Sequence, residues 1–546
     1  MTGTGSGEEM RSSPERLSPR VATRGMVATA HPLASATALN ILQQGGNAID
    51  SAIAAAAVLG VVQPMMSGLG GDTFILYYDA TRGRLRALNG SGAAPRMATV
   101  EYYAARGYNN MPLRGILSVS VPGAVDAMST ALELWGTGRF TLPALLAPAI
   151  EFAKHGVGLT PAVAEWMQVF EELFRQFPTL ARIFAPAGKP LGAGEILLQP
   201  DLAASLKLIA SEGRDAFYRG PLAEAIDRFS RSRGGILSLE DLREHRSEIV
   251  EPISISYRGH TMYTTPPPSQ GAVLLIMLAI LRGFPREVLR WGDPKGIHLA
   301  VEAKKRAFAD RWRYLGDPRT VASVLEQLLS EENAARHREE ILRGFHLGPD
   351  HDLRSDDTTY FCVGDRRGNL VSYISSLSAG FGAGEVVEGT GIVLNNRAGR
   401  GFTLEHGHPN CLAPGKRTMN TLMPVMASDE AGRRYVFGTP GGDGQPQWSL
   451  QVFLNFVESG MNPQEAVEAA RWQSFPGSDP ATIGNPFEIR LEEGFPNGVT
   501  EALRTLGHKV VPMQVRERGG VQMILSDERG FLGGSDPRVG GNVVGY

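Results

Sequence analysis

The sequence predicts an α+β protein in which helices cover a largely antiparallel sheet. Two apolar hairpins support this: TFILYYD with LRALNG across a Thr-Arg-Gly turn, and TTYFCVGD with NLVSYISSL across a Gly-Asn turn. Helical periodicity is common in residues 120–350, whereas strand patterns dominate from Thr358 onward. Helices on an antiparallel sheet argue against a doubly wound parallel fold. The Gly-rich GLGGDTF precedes a strand rather than a helix, which argues against a phosphate-binding loop.

The predicted elements begin near Gly25. GMVATA is a short strand, PLASATALNILQQGG a helix that ends at two glycines, and NAIDSAIAAAAVLGVVQP an Ala-rich helix that begins at an Asn. Further helices are predicted in AVDAMSTALELWG, TLPALLAPAIEFAKHG, DLAASLKLIASEG and IHLAVEAKKRAFADRWRYLG. SISYRGHTMYTTPPPSQG is predicted as one strand followed by a proline-rich loop.

The segment after Thr358 is predicted to be mainly β. GIVLNN, TLMPVMASD and RYVFGTPGGDG are strand patterns, PQWSLQVFLNFVESG and PQEAVEAARW are helices, and HKVVPMQ, VQMILSD and FLGGSD form a last β-rich section. We see no repeat of fixed period, so a solenoid or propeller is not expected.

Composition excludes several function classes. The chain has 546 residues, a formal charge of −3 with interspersed signs, and 42% hydrophobic residues, which is typical of a globular protein without a nucleic-acid or membrane-binding basic face. Two cysteines, Cys362 and Cys411, and scattered histidines give no metal-ligand spacing, so we expect no metal and no cofactor. Residues 1–24 resemble a disordered leader without a signal-peptide core, and the expected location is the cytoplasm.

One short stretch, RSDDTTYFCVGD, joins an acidic segment to a strand through two threonines. Taken alone, Thr358 and Thr359 are explained as β-branched residues that favour the start of a strand. The alternative is a reactive hydroxyl. A threonine hydroxyl is a poor nucleophile unless a nearby base accepts its proton, and an N-terminal amine with a pKa near 7.7–8.0 can do so.

Six segments together resemble the γ-glutamyltransferase family of N-terminal-nucleophile (Ntn) hydrolases, from about residue 25 to the end. They are the stretch HPLASATALNILQQGG to FILYYD, and SVSVPGAVDA, TTYFCVGDRRGNLVSYISSLSAGFGAG, GIVLNN, APGKRTMNTLMP and TPGGDGQ. The resemblance implies a four-layer αββα sandwich and a proenzyme that cuts itself between Asp357 and Thr358. The products are then a helix-rich large chain, residues 25–357, and a small chain, residues 358–546, that begins with the nucleophile Thr358.

The resemblance also assigns supporting groups. It places an oxyanion hole at Gly441 and Gly442, where consecutive backbone N–H groups can approach a tetrahedral oxyanion closely. It places at Ser376 a second hydroxyl that orients the nucleophile. The start of a strand at the edge of a sheet suits such a nucleophile, because the threonine is held rigidly.

The predicted pocket departs from that of γ-glutamyl enzymes. Ser91 replaces the family's carboxylate-binding arginine, and Ser378 replaces an asparagine. Asn420 and Thr421 replace a pair of serines. Arg397 and Arg400 replace the groups that bind the donor's ammonium, and an arginine repels an ammonium but holds a carboxylate by bidentate hydrogen bonds.

The sequence therefore predicts hydrolysis of a small amide that bears a carboxylate and lacks an α-amino group, as in the family's oxamate amidohydrolase branch, which makes oxalate and ammonia. A glutaryl- or cephalosporin-type acylase and a conventional γ-glutamyltransferase (glutathione hydrolase) remain alternatives, as does an unprocessed, inactive family member. An ordinary surface loop with salt bridges is the alternative for the two arginines. Expected partners are the small-molecule amide and the two chains of one precursor, with no nucleic acid or membrane, and a dimer of the two-chain unit is compatible with the resemblance.

Overall fold

The structure, a computed structural model, describes residues 17–344, 358–476, 486–514 and 519–546. Strands and helices are numbered here in chain order. The strands are Arg20–Ala22 (β1), Met26–Thr29 (β2), Asp72–Asp79 (β3), Arg84–Gly90 (β4), Val157–Gly158 (β5), Ile196–Leu197 (β6), Glu248–Val250 (β7), Ile253–Tyr257 (β8), His260–Thr264 (β9), Thr359–Gly364 (β10), Leu370–Ser376 (β11), Val386–Val387 (β12), Ile392–Val393 (β13), Val425–Asp429 (β14), Arg434–Gly438 (β15), Trp472–Phe475 (β16), Glu488–Leu491 (β17), Val510–Pro512 (β18), Gln522–Asp527 (β19), Gly530–Ser535 (β20) and Asn542–Gly545 (β21).

The α-helices are Pro32–Gln43 (α1), Ala48–Val62 (α2), Val100–Ala104 (α3), Ala124–Trp135 (α4), Leu142–His155 (α5), Pro161–Val169 (α6), Glu171–Gln176 (α7), Pro178–Phe184 (α8), Pro200–Glu212 (α9), Arg214–Tyr218 (α10), Pro221–Ser232 (α11), Leu239–Glu244 (α12), Gly271–Leu281 (α13), Pro294–Tyr314 (α14), Leu325–Leu328 (α15), Glu331–Leu342 (α16), Arg397–Gly401 (α17), Gly444–Val457 (α18), Pro463–Glu468 (α19) and Val499–Thr505 (α20). Both predicted N-terminal helices are confirmed. Asn47 caps α2 in a reciprocal capping box with Asp50.

Two seven-stranded antiparallel sheets form the centre of the molecule. Sheet I has the order β21-β2-β10-β11-β3-β4-β7, and sheet II has the order β1-β20-β19-β15-β14-β9-β8. One apolar cluster lies between the sheets, a second joins sheet I to α1, α2, α5 and α9, and a third joins sheet II to α13, α14 and α18. The predicted four-layer αββα sandwich is therefore confirmed.

The period-two pattern of the strands explains this layering. In β10, Tyr360 and Cys362 face the other sheet, whereas Phe361 and Val363 face the helices. Both faces of the strand are buried, which is why TTYFCVG is apolar almost throughout. A polar side chain on the inter-sheet face therefore needs a hydrogen-bond partner, as Ser372 of β11 finds in the Tyr360 hydroxyl.

The hairpin of β10 and β11 is confirmed, with Thr359 opposite Ser375 and Gly364 opposite Leu370. Its position in the sheet differs from the expectation of a site at a sheet edge, because β2 pairs with the other side of β10. Residue 358 therefore lies at the end of a central strand. The pairing of β2 could not be read from the pattern of β10 itself, since a backbone ladder leaves no mark on side-chain periodicity.

Three expectations need correction. The leader was expected to extend to residue 24, but Arg20–Ala22 forms β1 and pairs with β20. This strand is short and mostly exposed, so only backbone hydrogen bonds define it. The SISYRGHTMYTT segment is a hairpin of β8 and β9 rather than one strand. GIVLNN contributes only the two residues of β13, because Asn395 and Asn396 turn away to bind neighbouring loops.

None of the helices in the described part of the chain has both the length and the apolar character that crossing a bilayer requires.

Candidate active site

Thr358 lies immediately before β10 and is almost fully buried. Its hydroxyl donates to Ser376 Oγ at 3.2 Å, at the end of the neighbouring strand β11. Ser376 Oγ also accepts from the backbone N–H of Ser378 at 2.8 Å. Ser378 adopts a positive φ of 83°, and no hydrogen-bond partner is found for its buried hydroxyl among the described residues. The structure thus brings three of the predicted hydroxyl residues together.

The adjacent Thr359 faces the other way, in keeping with strand alternation. Its hydroxyl donates to Gln63 Oε1 at 3.3 Å at the end of α2, on the helical side of sheet I. By the same alternation, Thr358 shares the inter-sheet face with Tyr360. Of the two threonines, Thr358 is therefore the one that faces the Ser376 hydroxyl.

Asp72 is a central site residue that the sequence analysis missed. It begins β3, pairs with Ser376 in register, and is completely buried. Its Oδ1 accepts from the N–H of Gly92 at 3.1 Å, and its Oδ2 accepts from Arg397 Nε at 3.3 Å and Asn420 Nδ2 at 3.1 Å. One carboxylate therefore connects β3, the neighbour of β11, to helix α17 and to the loops that contain Gly92 and Asn420.

Burial raises the pKa of the Asp72 carboxyl, and the positive charge of Arg397 opposes that rise. A charged carboxylate in such a place depends on its arginine. The signal in the sequence was GLGGDTF, where an aspartate follows a glycine-rich loop and begins an otherwise apolar strand. The strand pattern TFILYYD begins one residue later, so the sequence analysis assigns that aspartate to the loop.

Arg397 and Arg400 lie on the short helix α17 and are 2% and 7% exposed, so the alternative of an ordinary surface loop is wrong for both. Asn395 sets the start of this helix, since its Oδ1 accepts from Arg397 N at 3.0 Å and its amide donates to Gly70 O and Ser120 O. Arg397 Nη1 donates to Thr421 Oγ1 at 3.2 Å. Arg397 is therefore part of an ion pair and a network rather than an isolated cation.

Asn420 and Thr421 lie beside Asp72 and Arg397, and the proline-rich loop before α13 holds them. Asn420 N donates to Pro268 O at 2.7 Å, and Ser269 Oγ donates to Leu422 O at 2.7 Å. Ser91 behaves differently from the expectation of a pocket residue, because its hydroxyl donates to Asn89 Oδ1 at 2.7 Å. Its neighbour Gly92 supplies the contact to Asp72.

Gly441 and Gly442 follow β15 in a turn with φ values of 112° and 48°. A Cβ on Gly441 would lie 2.2 Å from Cζ3 of Trp448, so both the backbone conformation and the space require glycine there. Among the described residues no acceptor is found for the N–H of Gly441 or of Gly442. Two unengaged N–H groups in a fixed turn can bind an oxyanion.

Asp357 lies outside the described residues, so the scissile bond has no structural account. Away from this site, His298, Glu302 and His508 place potential ligand atoms within 4.8 Å of one another. Glu302 already pairs with Lys305 at 2.6 Å and Arg306 at 2.8 Å. Because its charge is balanced twice over, we assign this cluster no metal.

Comparisons with known proteins show the family of the chain. The profile of the family described as Gamma-glutamyltranspeptidase matches residues 34–546. The chain is 38% identical to the glutathione hydrolase-like YwrD proenzyme of Bacillus subtilis, over 96% of this chain and 99% of that protein. It is 36% identical to the oxamate amidohydrolase proenzyme of Klebsiella pneumoniae, over 97% and 100%.

Among solved structures, the cephalosporin acylase of Bacillus halodurans aligns with a TM-score of 0.89 at 37% identity, covering 98% of both chains. The similarity covers nearly the whole length of the chain, in sequence and in fold. The chain is therefore a hydrolase and belongs to the γ-glutamyltranspeptidase family of Ntn hydrolases.

Proposed function

We propose that the protein is a self-processing amidohydrolase that cleaves the amide of a small, singly charged carboxylate, such as oxamate, through an acyl–Thr358 intermediate. The observation that carries the proposal is the pairing of the Thr358 and Ser376 hydroxyls beside a buried wall that contains Asp72, Arg397 and Arg400. Cleavage of the Asp357–Thr358 bond frees the Thr358 amine, which then accepts the proton of its own hydroxyl.

The proposed acyl transfer uses each group once. The Thr358 hydroxyl attacks the amide carbon, and the N–H groups of Gly441 and Gly442 bind the oxyanion that forms. The amine returns the proton to the departing ammonia, and water then releases the acid by the reverse sequence. Ser376 keeps the nucleophile oriented throughout, because the N–H of Ser378 donates to Ser376 Oγ and fixes its position.

The arginines of the wall favour an anion. Asp72 pairs with Arg397 at 3.3 Å, and Arg400 lies three residues further along α17. Guanidinium groups hold a carboxylate by charge-assisted hydrogen bonds, whereas a γ-glutamyl donor also brings an ammonium, which they repel. Asp72 is a poor partner for a substrate ammonium, because its oxygens already accept hydrogen bonds from Arg397, Asn420 and Gly92.

Two specific findings support related activities. The resemblance to a named oxamate amidohydrolase over the whole chain supports the small amide. The similarity to a cephalosporin acylase supports a second candidate, a larger acyl group that ends in a carboxylate, such as glutaryl. Both curated relatives compared above are named proenzymes, which supports processing into the chains 25–357 and 358–546.

An ammonia-release screen over oxamate, succinamate, glutaramate and glutamine tests the proposal. Release of p-nitroaniline from a glutaryl and a γ-glutamyl p-nitroanilide, measured alongside, tests the acylase and the γ-glutamyltransferase. We expect oxamate or another monocarboxylate amide to be preferred, and Thr358→Ala to give no release. Preference for glutamine or a γ-glutamyl anilide would overturn it.

Arg400→Gln tests the role of the wall in substrate binding without changing the Thr358 nucleophile. We expect a KM for the carboxylated amide raised by about tenfold or more, since one charge-assisted pair is lost. Arg366→Gln, in the exposed turn between β10 and β11, is the matched control and should leave KM unchanged.

A further inference from the structure

Gln270, the last residue of the proline-rich loop before α13, spans the gap between two loops of the site. Its Nε2 donates to Thr421 O at 2.6 Å and to Gly442 O at 2.8 Å. A carboxamide nitrogen has two hydrogens, so both of its donors are used, one on each loop. Its backbone N–H donates to Asn420 O at 2.8 Å, and the residue is completely buried.

The orientation of this amide is fixed from behind. Gln270 Oε1 accepts from Arg311 Nη1 at 2.6 Å, and the same nitrogen donates to Asp443 Oδ1 at 2.7 Å. Arg311 projects from α14 and is 2% exposed, and Asp443 directly follows Gly442. A closed ring therefore runs from Gly442 O through Gln270, Arg311 and Asp443 back to the backbone of the same turn.

The two loops carry different parts of the proposed reaction. The 420–421 segment contacts Arg397 and Asp72 on the carboxylate-binding wall, whereas the 441–442 turn presents the two N–H groups assigned to the oxyanion. They come from different parts of the fold, one before β14 and the other after β15. Because the substrate's carboxylate and its reacting carbonyl lie only a few bonds apart, a small shift between these loops misplaces one of them.

We infer that Gln270 is a positioning residue that holds the carboxylate-binding wall and the oxyanion turn in register through its two amide hydrogens. This inference rests on the proposed function for its catalytic consequence, but the coupling of the two loops is a property of the fold alone. Among the described residues, no hydrogen bond is found between the Gln270 side chain and the Thr358 hydroxyl or the charged groups of the wall, and its amide hydrogens bind the peptides of Thr421 and Gly442.

Two substitutions dissect the amide. Gln270→Glu keeps the size and the acceptor for Arg311 but directs an oxygen at two carbonyl oxygens, whereas Gln270→Met removes every hydrogen bond of the side chain. Gln451→Met is the matched control, because the buried amide of Gln451 also makes three hydrogen bonds. Its Nε2 donates to Gln447 O and Trp472 O, and its Oε1 accepts from Trp472 N. That residue joins α18 to β16, away from both loops.

The first measurement is steady-state kinetics on whichever amide the wild-type enzyme hydrolyses best, normalised to processed protein. We expect kcat to fall by about 10- to 100-fold and KM to rise in both Gln270 variants, with wild-type constants for Gln451→Met. Wild-type kinetics for Gln270→Glu would overturn the inference, since the side chain would then act only by filling space and anchoring Arg311.

The second measurement is hydrogen exchange, which needs no activity and so separates this inference from the proposed function. We expect faster exchange at both the Asn420 and the Gln445 amides in the Gln270 variants, because these N–H groups bind Pro268 O and Gly442 O. Faster exchange in only one of the two segments would show that the loops are not coupled through Gln270. The same would follow if Gln451→Met raised both exchange rates as much as the Gln270 variants do. A wild-type enzyme that hydrolyses no amide in the screen would refute the proposed function. The exchange measurement would still test the coupling of the two loops.

Discussion

Replacing Arg397 by methionine tests the charge balance of the wall most directly. The substitution keeps the length of the aliphatic part of the side chain and removes the guanidinium that pairs with Asp72. Asp72 then stays buried with only Asn420 and the Gly92 N–H as donors. The double variant Asp72→Asn/Arg397→Met removes both charges and retains one amide oxygen, which can accept from one of these two donors.

The size of the effect follows from distance and burial. At 3.3 Å and an effective dielectric constant of about 20, the attraction is about 5 kcal/mol, and removing one partner of a buried pair costs about 3 to 5 kcal/mol. Both side chains are at most 2% exposed, so solvent screening does not reduce this figure. With an unfolding entropy of about 1.1 kcal/mol/K for a chain of this size, Arg397→Met should lower Tm by about 3 to 4 °C.

Thermal unfolding by circular dichroism measures the change, with Arg82→Met as control because Arg82 pairs with Asp79 on the surface. We expect the control to match the wild type and the double variant to recover most of the lost Tm. Without Arg397 the pKa of Asp72 rises further, so the deficit should grow as the pH rises and shrink in acid. A single variant within 1 °C of the wild type, or a double variant no better than the single one, would refute the reasoning.

Kinetics separate stability from recognition in the same variants. If Arg397 binds the substrate's carboxylate, the double variant regains Tm but keeps a raised KM. Recovery of both would assign Arg397 to structure alone.

Three further predictions follow from single residues. Wild-type protein should separate into chains of about 38 and 20 kDa in denaturing gels, and Thr358→Ala should remain one chain; an intact wild-type band would refute self-processing. His31 caps α1 through Nδ1, and burial lowers its pKa to about 4. The free energy of unfolding should therefore fall by about 3 kcal/mol as the pH drops from 6.5 to 4. Urea unfolding should show a flatter pH dependence for His31→Asn. Gly441→Ala should lower kcat by about 100-fold, because its Cβ meets Trp448, whereas Gly432→Ala, with a similar φ but open space, should not; equal kinetics for the two would contradict the proposed oxyanion turn.

The sequence was informative about the fold wherever one element carries its own pattern. The β10–β11 hairpin, the capped helix α2 and the apolar strands on both sheets follow from periodicity and turn residues within a few positions. The strand β1 could not be found in this way, since its pairing with β20 joins residues about five hundred positions apart and leaves Val21 exposed.

The site was predictable in its residue types and much less in its connections. The positions of Thr358 and Ser376 follow from one hairpin, and their contact was expected. The partners of Arg397 were not, because Asp72 lies on a strand more than three hundred residues earlier and only the sheet brings the two together. Gln270 was hidden for the same reason, as nothing in PPPSQG indicates that its amide spans two later loops.

The central position of β10 determines what the proposed cut would produce. Sheet I combines β2, β3, β4 and β7 from before residue 357 with β10, β11 and β21 from after it, and sheet II mixes the two segments in the same way. Two separate polypeptides would thus share both sheets and the helical layer over sheet II, and neither would possess a complete sheet. Dissociation of the two chains would then be the same event as unfolding. Each chain produced alone should expose unpaired strand edges and aggregate rather than remain as a folded monomer.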